Sequence, residues 1–288
     1  MKPFTYLTPV DADEAVRLLD THGPDARVIA GGQTLLLAMK TREARPTALV
    51  SLTSIEGLSG VSVDDTGELV VGATTTYAEL ARTDLPGWHA EITAMAGNLA
   101  DRPVRTMGTI GGALCAAEPR FDMPVLVTGV GAILEVLSPT GVRLLRPEEF
   151  FDTSGGTTLT SSDLLVAVRF PALESFTAVA FEKFRQRTFD AAIVSSLCAL
   201  QVDGQGRVIA ARITVGAATP VPTPAPQSAA GLVGLSTANI DPAQVGNTVA
   251  VELRHSQPAD SPMVQFQTEL IKSVTRKALT RACAISRS

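Results

Sequence analysis

The chain has 288 residues, of which 45% are hydrophobic and 18% charged, and its net charge is −5. This length and composition are ordinary for a soluble protein of two or three small domains, and the acidic balance argues against nucleic-acid binding as the main function. No apolar run reaches the roughly 18 residues that a membrane span needs, and the N-terminal residues lack the apolar core of a signal peptide, so we expect a cytoplasmic protein.

Hydrophobic periodicity and capping residues predict the elements of the first 172 residues. Capping boxes formed by Asp11 with Glu14 and by Thr76 with Glu79 mark the starts of two helices. The predicted helices cover residues 11–22, 34–40, 76–82 and 88–99. The predicted strands cover residues 27–30, 48–52, 69–73, 132–137, 142–145 and 164–170.

The pattern changes from about residue 172 onward. Three strands are predicted over residues 178–184, 195–202 and 207–218, with a glycine-containing hairpin turn between the last two. A stiff proline-rich connector over 220–226 precedes helices predicted over 242–253 and 262–282. Because strands and helices are mixed without a regular βαβ repeat, the sequence predicts an α+β fold.

Two glycine-rich turns are the most informative motifs in the chain, Ala30-Gly31-Gly32-Gln33-Thr34-Leu35 and Thr109-Ile110-Gly111-Gly112-Ala113-Leu114. Adjacent glycines allow a ligand to approach the backbone amides closely, and amides at the start of a helix suit a phosphate. One such turn is explained better as an ordinary helix entry, whereas two indicate a cofactor whose diphosphate is held from two sides. The GxGxxG motif of a Rossmann domain and the P-loop are both absent, so the phosphate site is of another kind.

The three cysteines, Cys115, Cys198 and Cys283, are far apart and include no CxxC pair. An iron–sulfur cluster usually needs four cysteine ligands, and a structural zinc site usually has paired spacing. We therefore expect no metal site in this chain, and inert thiols are the favoured interpretation.

The glycine turns resemble the two signature loops of the FAD-binding medium subunit of molybdenum hydroxylases, the group of carbon monoxide dehydrogenase and xanthine dehydrogenase. Further matching segments follow in the same order over nearly the whole chain, among them the opening Pro3-Phe4-Thr5-Tyr6 and the later stretches 105–112, 118–124, 149–151, 181–187 and 190–194. A likeness of this extent is far more specific than any single motif.

The resemblance implies a fold and a set of partners. A p-cresol-methylhydroxylase-like FAD-binding region would comprise two subdomains, residues 1–57 and 58–172, and residues 173–288 would form a C-terminal domain with a three-stranded antiparallel sheet and helices. A small subunit would carry two 2Fe-2S clusters and a large subunit the molybdopterin cofactor, in a dimer of heterotrimers. The scarcity of cysteine fits this division, since this chain lacks ligands for the clusters.

The resemblance also assigns cofactor-binding residues. On one side of the FAD diphosphate these are Ala30, Gly31, Gly32, Gln33, Thr34 and Leu35, and on the other side Thr109, Ile110, Gly111, Gly112 and Ala113. Asp122 would accept a hydrogen bond from a cofactor hydroxyl, and Leu165 and Lys183 would lie near the flavin, where Lys183 could favour a reduced, anionic flavin. The three histidines, His22, His89 and His255, lie outside these loops, so we expect noncovalent FAD.

The residues themselves leave alternatives open. Asp122 could equally be a helix N-cap before Pro124, and Lys183 could equally be a solvated strand lysine. Leu165 alone is explained better by core packing.

The resemblance implies an electron-transfer flavoprotein subunit that passes electrons from the partner's 2Fe-2S clusters to an external acceptor. Such an oxidoreductase subunit needs no catalytic residue of its own, because the flavin carries the chemistry. Two rival functions are a free-standing FAD-dependent oxidase or dehydrogenase of the same superfamily and a cofactor-free scaffold. The intact glycine loops argue against the scaffold, and co-purifying subunits would distinguish the other two.

Overall fold

Three β-sheets carry the fold in the computed structural model, which describes residues 3–253 and 262–287 and so leaves out His255. The first sheet is parallel, in the order β1-β3-β2, and consists of β1 (Thr5–Leu7), β2 (Ala26–Ile29) and β3 (Ala48–Ser51). Its connections are the helices α1 (Ala12–His22) and α2 (Leu35–Thr41). Asp11 caps α1 by accepting from the Glu14 amide, as predicted, but the Glu14 carboxylate accepts from Val10 N at 2.7 Å, so the reciprocal half of the predicted capping box goes to Val10. Gly23 ends the helix at φ 61°.

The second sheet is antiparallel and has five strands in the order β4-β5-β8-β6-β7. These strands are β4 (Val61–Val63), β5 (Leu69–Gly72), β6 (Ile133–Ser138), β7 (Gly141–Leu145) and β8 (Leu164–Phe170). The predicted strands 132–137 and 142–145 correspond to β6 and β7, which form a hairpin closed by the pair Ser138 and Gly141. The sequence did not predict β4.

Five α-helices lie between β5 and β6. They are α3 (Tyr77–Leu80), α4 (Ala90–Gly97), α5 (Arg102–Met107), α6 (Ile110–Ala116) and α7 (Asp122–Val130), and α8 (Pro147–Phe150) follows β7. The predicted capping box of Thr76 and Glu79 is present at the start of α3. The sequence did not predict α5, α6 or α7, and every residue of α7 is buried. A helix buried on all sides shows no amphipathic period.

The third sheet is antiparallel, in the order β12-β11-β10-β9. Its strands are β9 (Ala178–Phe184), β10 (Val194–Val202), β11 (Val208–Gly216) and β12 (Thr223–Pro224), and the helices that follow are α9 (Pro226–Ala230), α10 (Pro242–Glu252) and α11 (Pro262–Ile285). The three predicted strands are present, but the sheet has four, because two residues of the proline-rich connector pair with β11. An edge position tolerates Pro224, which cannot donate to a ladder.

The strand β10 is buried between two hydrophobic cores and joins the last third of the chain to the rest. Leu197 and Ala199 belong to the core formed with α7 and the five-stranded sheet, whereas Cys198 and Leu200 pack into the core with α11. This packing brings the end of β9 beside the start of α7. The division at residues 57/58 and 172/173 stays a prediction.

The longest helix, α11, has 24 residues and buries Val274 and Ala278 against the third sheet. Within the described ranges, no helix combines the length and the hydropathy that crossing a bilayer requires.

Candidate functional site

A cavity of about 770 Å³ is lined by residues of all three sheets and their connecting loops. All but one of the residues assigned to the cofactor from the sequence line this cavity, namely Ala30, Gly31, Gly32, Gln33, Thr34, Leu35, Thr109, Gly111, Gly112, Ala113, Asp122, Leu165 and Lys183. The exception is Ile110, which is fully buried in the central core beneath the second loop. The fold therefore gathers residues from positions 30 to 183 around one space.

The first glycine loop offers the cavity a row of backbone donors. Among the described residues, no acceptor is found for the amide N–H groups from Gly31 to Leu35, and the first helical bond of α2 runs from Leu36 N to Gly32 O at 3.0 Å. Gly32 turns the chain at φ 68°, a conformation that favours glycine. Consecutive unpaired amides in a turn form a concave site for an anion, because several donors then converge on one acceptor group.

The second glycine loop is different, since most of its amides are already paired. Ile110 N donates to Thr75 O at 3.0 Å and Gly111 N to Ala73 O at 2.8 Å. Gly112 N donates to the hydroxyl of Thr109 at 3.0 Å, so Thr109 caps α6. In the described part of the chain, the amide and the hydroxyl hydrogen of Thr109 have no protein acceptor. This loop therefore offers Thr109 to a ligand rather than a row of amides.

The glycines are needed for contacts between chain segments as well as for access to amides. A Cβ on Gly31 would lie 1.6 Å from the carbonyl oxygen of Met107, immediately before the second loop. A Cβ on Gly111 would lie 2.7 Å from the carbonyl oxygen of Ala73. The first loop thus touches the segment that leads into the second loop, and the reason given from the sequence, close approach of a ligand, is incomplete.

Asp122 and Lys183 form a buried ion pair in the cavity wall. Lys183 Nζ, on β9, donates to Asp122 Oδ2 at the start of α7, and the two side chains are 11% and 4% exposed. Burial raises the pKa of Asp122, and the charge of Lys183 acts in the opposite direction. The N-cap of α7 is Phe121, so Asp122 is not the cap, and Lys183 is not a solvated lysine.

The other assigned and missed residues complete the wall. Leu165 is 3% exposed and both packs in the central core and lines the cavity. Sequence reasoning missed Asp163, whose carboxylate lies 2.7 Å from Arg143 Nη2 and accepts from Thr160 N at 2.8 Å. It also missed Tyr77, which lines the cavity although no motif points to it.

The three cysteines are free thiols. Cys198 on β10 and Cys283 on α11 are buried in the core between the third sheet and α11. Cys115 is exposed on α6 at the cavity. A search of residues 3–253 and 262–287 finds no cluster of three or more His, Cys, Asp or Glu side chains that could hold a metal ion.

Two family models match the chain in succession. Residues 2–173 match the FAD binding domain in molybdopterin dehydrogenase, and residues 179–282 match the CO dehydrogenase flavoprotein C-terminal domain. The chain is 32% identical to the carbon monoxide dehydrogenase medium chain of Afipia carboxidovorans over 98% of its own length and 97% of that protein. It is 29% identical to the alpha subunit of the 6-hydroxypseudooxynicotine dehydrogenase complex of Paenarthrobacter nicotinovorans, with 98% and 96% covered.

Solved structures share the same fold. A chain of reconstituted CO dehydrogenase from Oligotropha carboxidovorans superimposes with a TM-score of 0.88 at 31% identity, over 99% of each chain. A chain of quinoline 2-oxidoreductase from Pseudomonas putida 86 superimposes with a TM-score of 0.86 at 29% identity, over 100% of each chain. The similarity therefore extends over the whole molecule, including the elements around the cavity.

Proposed function

The chain belongs to the family of FAD-binding domains of molybdopterin dehydrogenases, and from this premise we propose that it is the FAD-binding electron-transfer subunit of a heteromeric molybdenum hydroxylase. The membership confirms the resemblance drawn from the glycine loops and the α+β class. The proposed partners are a small subunit with 2Fe-2S clusters and a large subunit with molybdopterin, in a dimer of heterotrimers. Electrons would arrive from the 2Fe-2S clusters and leave to an external acceptor.

The row of unpaired amides from Gly31 to Leu35 is the observation in the structure that supports this proposal most strongly. A diphosphate carries negative charge and many acceptor oxygens, and hydrogen bonds to charged acceptors are stronger than neutral ones. The residues that carry these amides line a cavity of about 770 Å³, in the range of pockets that bind cofactors. The residues present therefore fit a dinucleotide whose diphosphate sits at the first loop.

The remaining assigned residues would hold the cofactor elsewhere in the cavity. We propose that the free amide and hydroxyl of Thr109 donate to the diphosphate from the second loop, and that Gly112 and Ala113 shape the wall there. Asp122 would accept from a cofactor hydroxyl, while Leu165 excludes water and Lys183 supplies a positive charge. The bound FAD would supply the redox chemistry, and the protein would supply binding, orientation and electrostatics.

We expect the isolated, FAD-loaded chain to show no turnover of the substrate that the complete complex oxidises. The reason is that the proposed substrate site and the metal cofactors belong to the partner subunits. The test compares substrate-dependent reduction of an artificial acceptor by the isolated chain and by the complex reconstituted with both partners. Activity should appear only in the complex, although dithionite should reduce the flavin of the isolated chain.

Full activity of the isolated chain would contradict the subunit assignment. It would support the rival function, a free-standing FAD-dependent oxidase or dehydrogenase. A matched control is the reconstituted complex prepared without FAD, which should not transfer electrons to the acceptor used by the flavin.

A further inference from the structure

Tyr77 carries a buried hydroxyl for which the protein supplies no partner. The residue is 3% exposed and lines the cavity. Within the described ranges, its oxygen is one of two buried side-chain polar atoms without a hydrogen bond, and the other, Thr128 Oγ1, belongs to a residue outside the cavity lining. Buried hydroxyls are normally hydrogen-bonded, because an unpaired one has lost its bonds to water. An unpaired donor at a ligand cavity indicates that the ligand supplies the acceptor.

The position of the Tyr77 ring is fixed by the second glycine loop. Tyr77 N donates to Gly108 O at 3.0 Å, and Thr76 forms a bridge with Thr109. The ring edge lies against Gly108, where a Cβ would come within 3.3 Å of the ring atoms Cδ2 and Cε2. The ring is therefore held beside the loop that carries Thr109, so the hydroxyl needs little ordering when a ligand binds.

The hydroxyl is a proton donor that feels the charge of Asp122, another residue of the cavity wall. Burial and, to a lesser extent, the charge of Asp122 raise the pKa of Tyr77, so the phenol stays protonated at neutral pH. Asp122 itself is engaged by Lys183. Tyr77 is thus a further polar residue of the cavity wall, and its hydroxyl hydrogen has no protein acceptor among the described residues.

We propose that Tyr77 is an FAD-positioning residue whose hydroxyl donates a hydrogen bond to a polar group of the cofactor beside the second glycine loop. The inference rests on the proposed function. It has a distinctive consequence, because the hydroxyl adds nothing to the stability of the FAD-free chain and adds only to its affinity for FAD. Removing it should weaken FAD binding without lowering the stability of the empty chain.

The test is Tyr77→Phe, which removes only the hydroxyl, with Tyr6→Phe as the matched control. Tyr6 is the other of the two tyrosines and is 54% exposed on β1. The dissociation constant of FAD is measured by flavin fluorescence, and the Tm of the FAD-free chain by circular dichroism. For Tyr77→Phe we expect the dissociation constant to rise roughly 2- to 10-fold, as for one lost hydrogen bond. Its Tm should be unchanged or higher, and the control should alter neither quantity.

Two results would overturn the inference. An unchanged dissociation constant would mean that the hydroxyl makes no bond to the cofactor. A lower Tm of the FAD-free variant would mean that the hydroxyl serves the empty fold. Failure of the wild-type chain to bind FAD would instead contradict the proposed function itself, so the two failures are distinguishable.

Discussion

Replacing Gly31 with alanine is expected to weaken FAD binding by roughly 100-fold, the equivalent of losing two charge-assisted hydrogen bonds of about 1.5 kcal/mol each. The new Cβ would lie 1.6 Å from the carbonyl oxygen of Met107, which is backbone and cannot move aside as a rotamer does. The first loop must therefore move away from Met107, and the amides from Gly31 to Leu35 move with it. The dissociation constant of FAD, from fluorescence titration, measures the effect.

Gly204→Ala is the matched control for this substitution. Gly204 has no positive φ, and no atom lies within 4 Å of the position its Cβ would take. It lies in the turn between β10 and β11, away from the cavity, so the control should keep wild-type affinity. We also expect Gly31→Ala to lower the free energy of unfolding by about 1–3 kcal/mol, as for an overpacked site. Wild-type affinity in Gly31→Ala would show that the first loop does not hold the cofactor.

Replacing Lys183 with methionine is expected to lower the free energy of unfolding of the FAD-free chain by about 3–5 kcal/mol at neutral pH. The substitution leaves the carboxylate of Asp122, whose side chain is 4% exposed, buried without its cation. Urea unfolding measures the change. Lys272→Met is the control, since the Lys272–Glu269 pair is 34% and 69% exposed and should contribute less than about 1 kcal/mol.

The destabilisation by Lys183→Met should depend on pH with a defined sign. Burial already raises the pKa of Asp122 above its ordinary value of 3.8, and loss of Lys183 raises it further. A carboxyl whose folded-state pKa is raised contributes stability below the unfolded-state value and loses it as the pH rises through the folded-state value. The difference from wild type should therefore shrink as the pH falls toward 4, and a pH-independent difference would contradict this account.

The sequence predicted the helix starts and turns that are set by residues a few positions apart in the chain. The capping residues of α1 and α3 and the turn between β10 and β11 are of this kind. The helix α5 had a usable signal that was missed, since Asp101 accepts from Val104 N just before Pro103 enters the helix. For α7 the one signal was Asp122 before Pro124, which the sequence left open as a helix start. All residues of α7 are buried, so its hydrophobic pattern has no period.

At the site, too, the motifs could be predicted from the sequence, but the contacts between distant segments could not. The glycine loops were recognisable as motifs, but the contact of Gly31 with Met107, just before the second loop, joins segments far apart in the chain. The ion pair of Asp122 and Lys183 spans 61 positions, and residue types alone left both roles open. The unpaired hydroxyl of Tyr77 is a property of packing, which no motif encodes. The partners came from the family resemblance and not from the residue pattern.

The flavin content of the purified chain tests the central claim most directly. The chain is saturated with FAD, freed of excess by gel filtration, quantified by absorbance and then precipitated with acid. The account predicts about one FAD per chain, all of it released into the supernatant, because the loops bind a diphosphate and no attachment residue was identified. Flavin retained in the pellet would contradict noncovalent binding, and a chain that remains colourless after saturation would contradict the assignment as a flavoprotein.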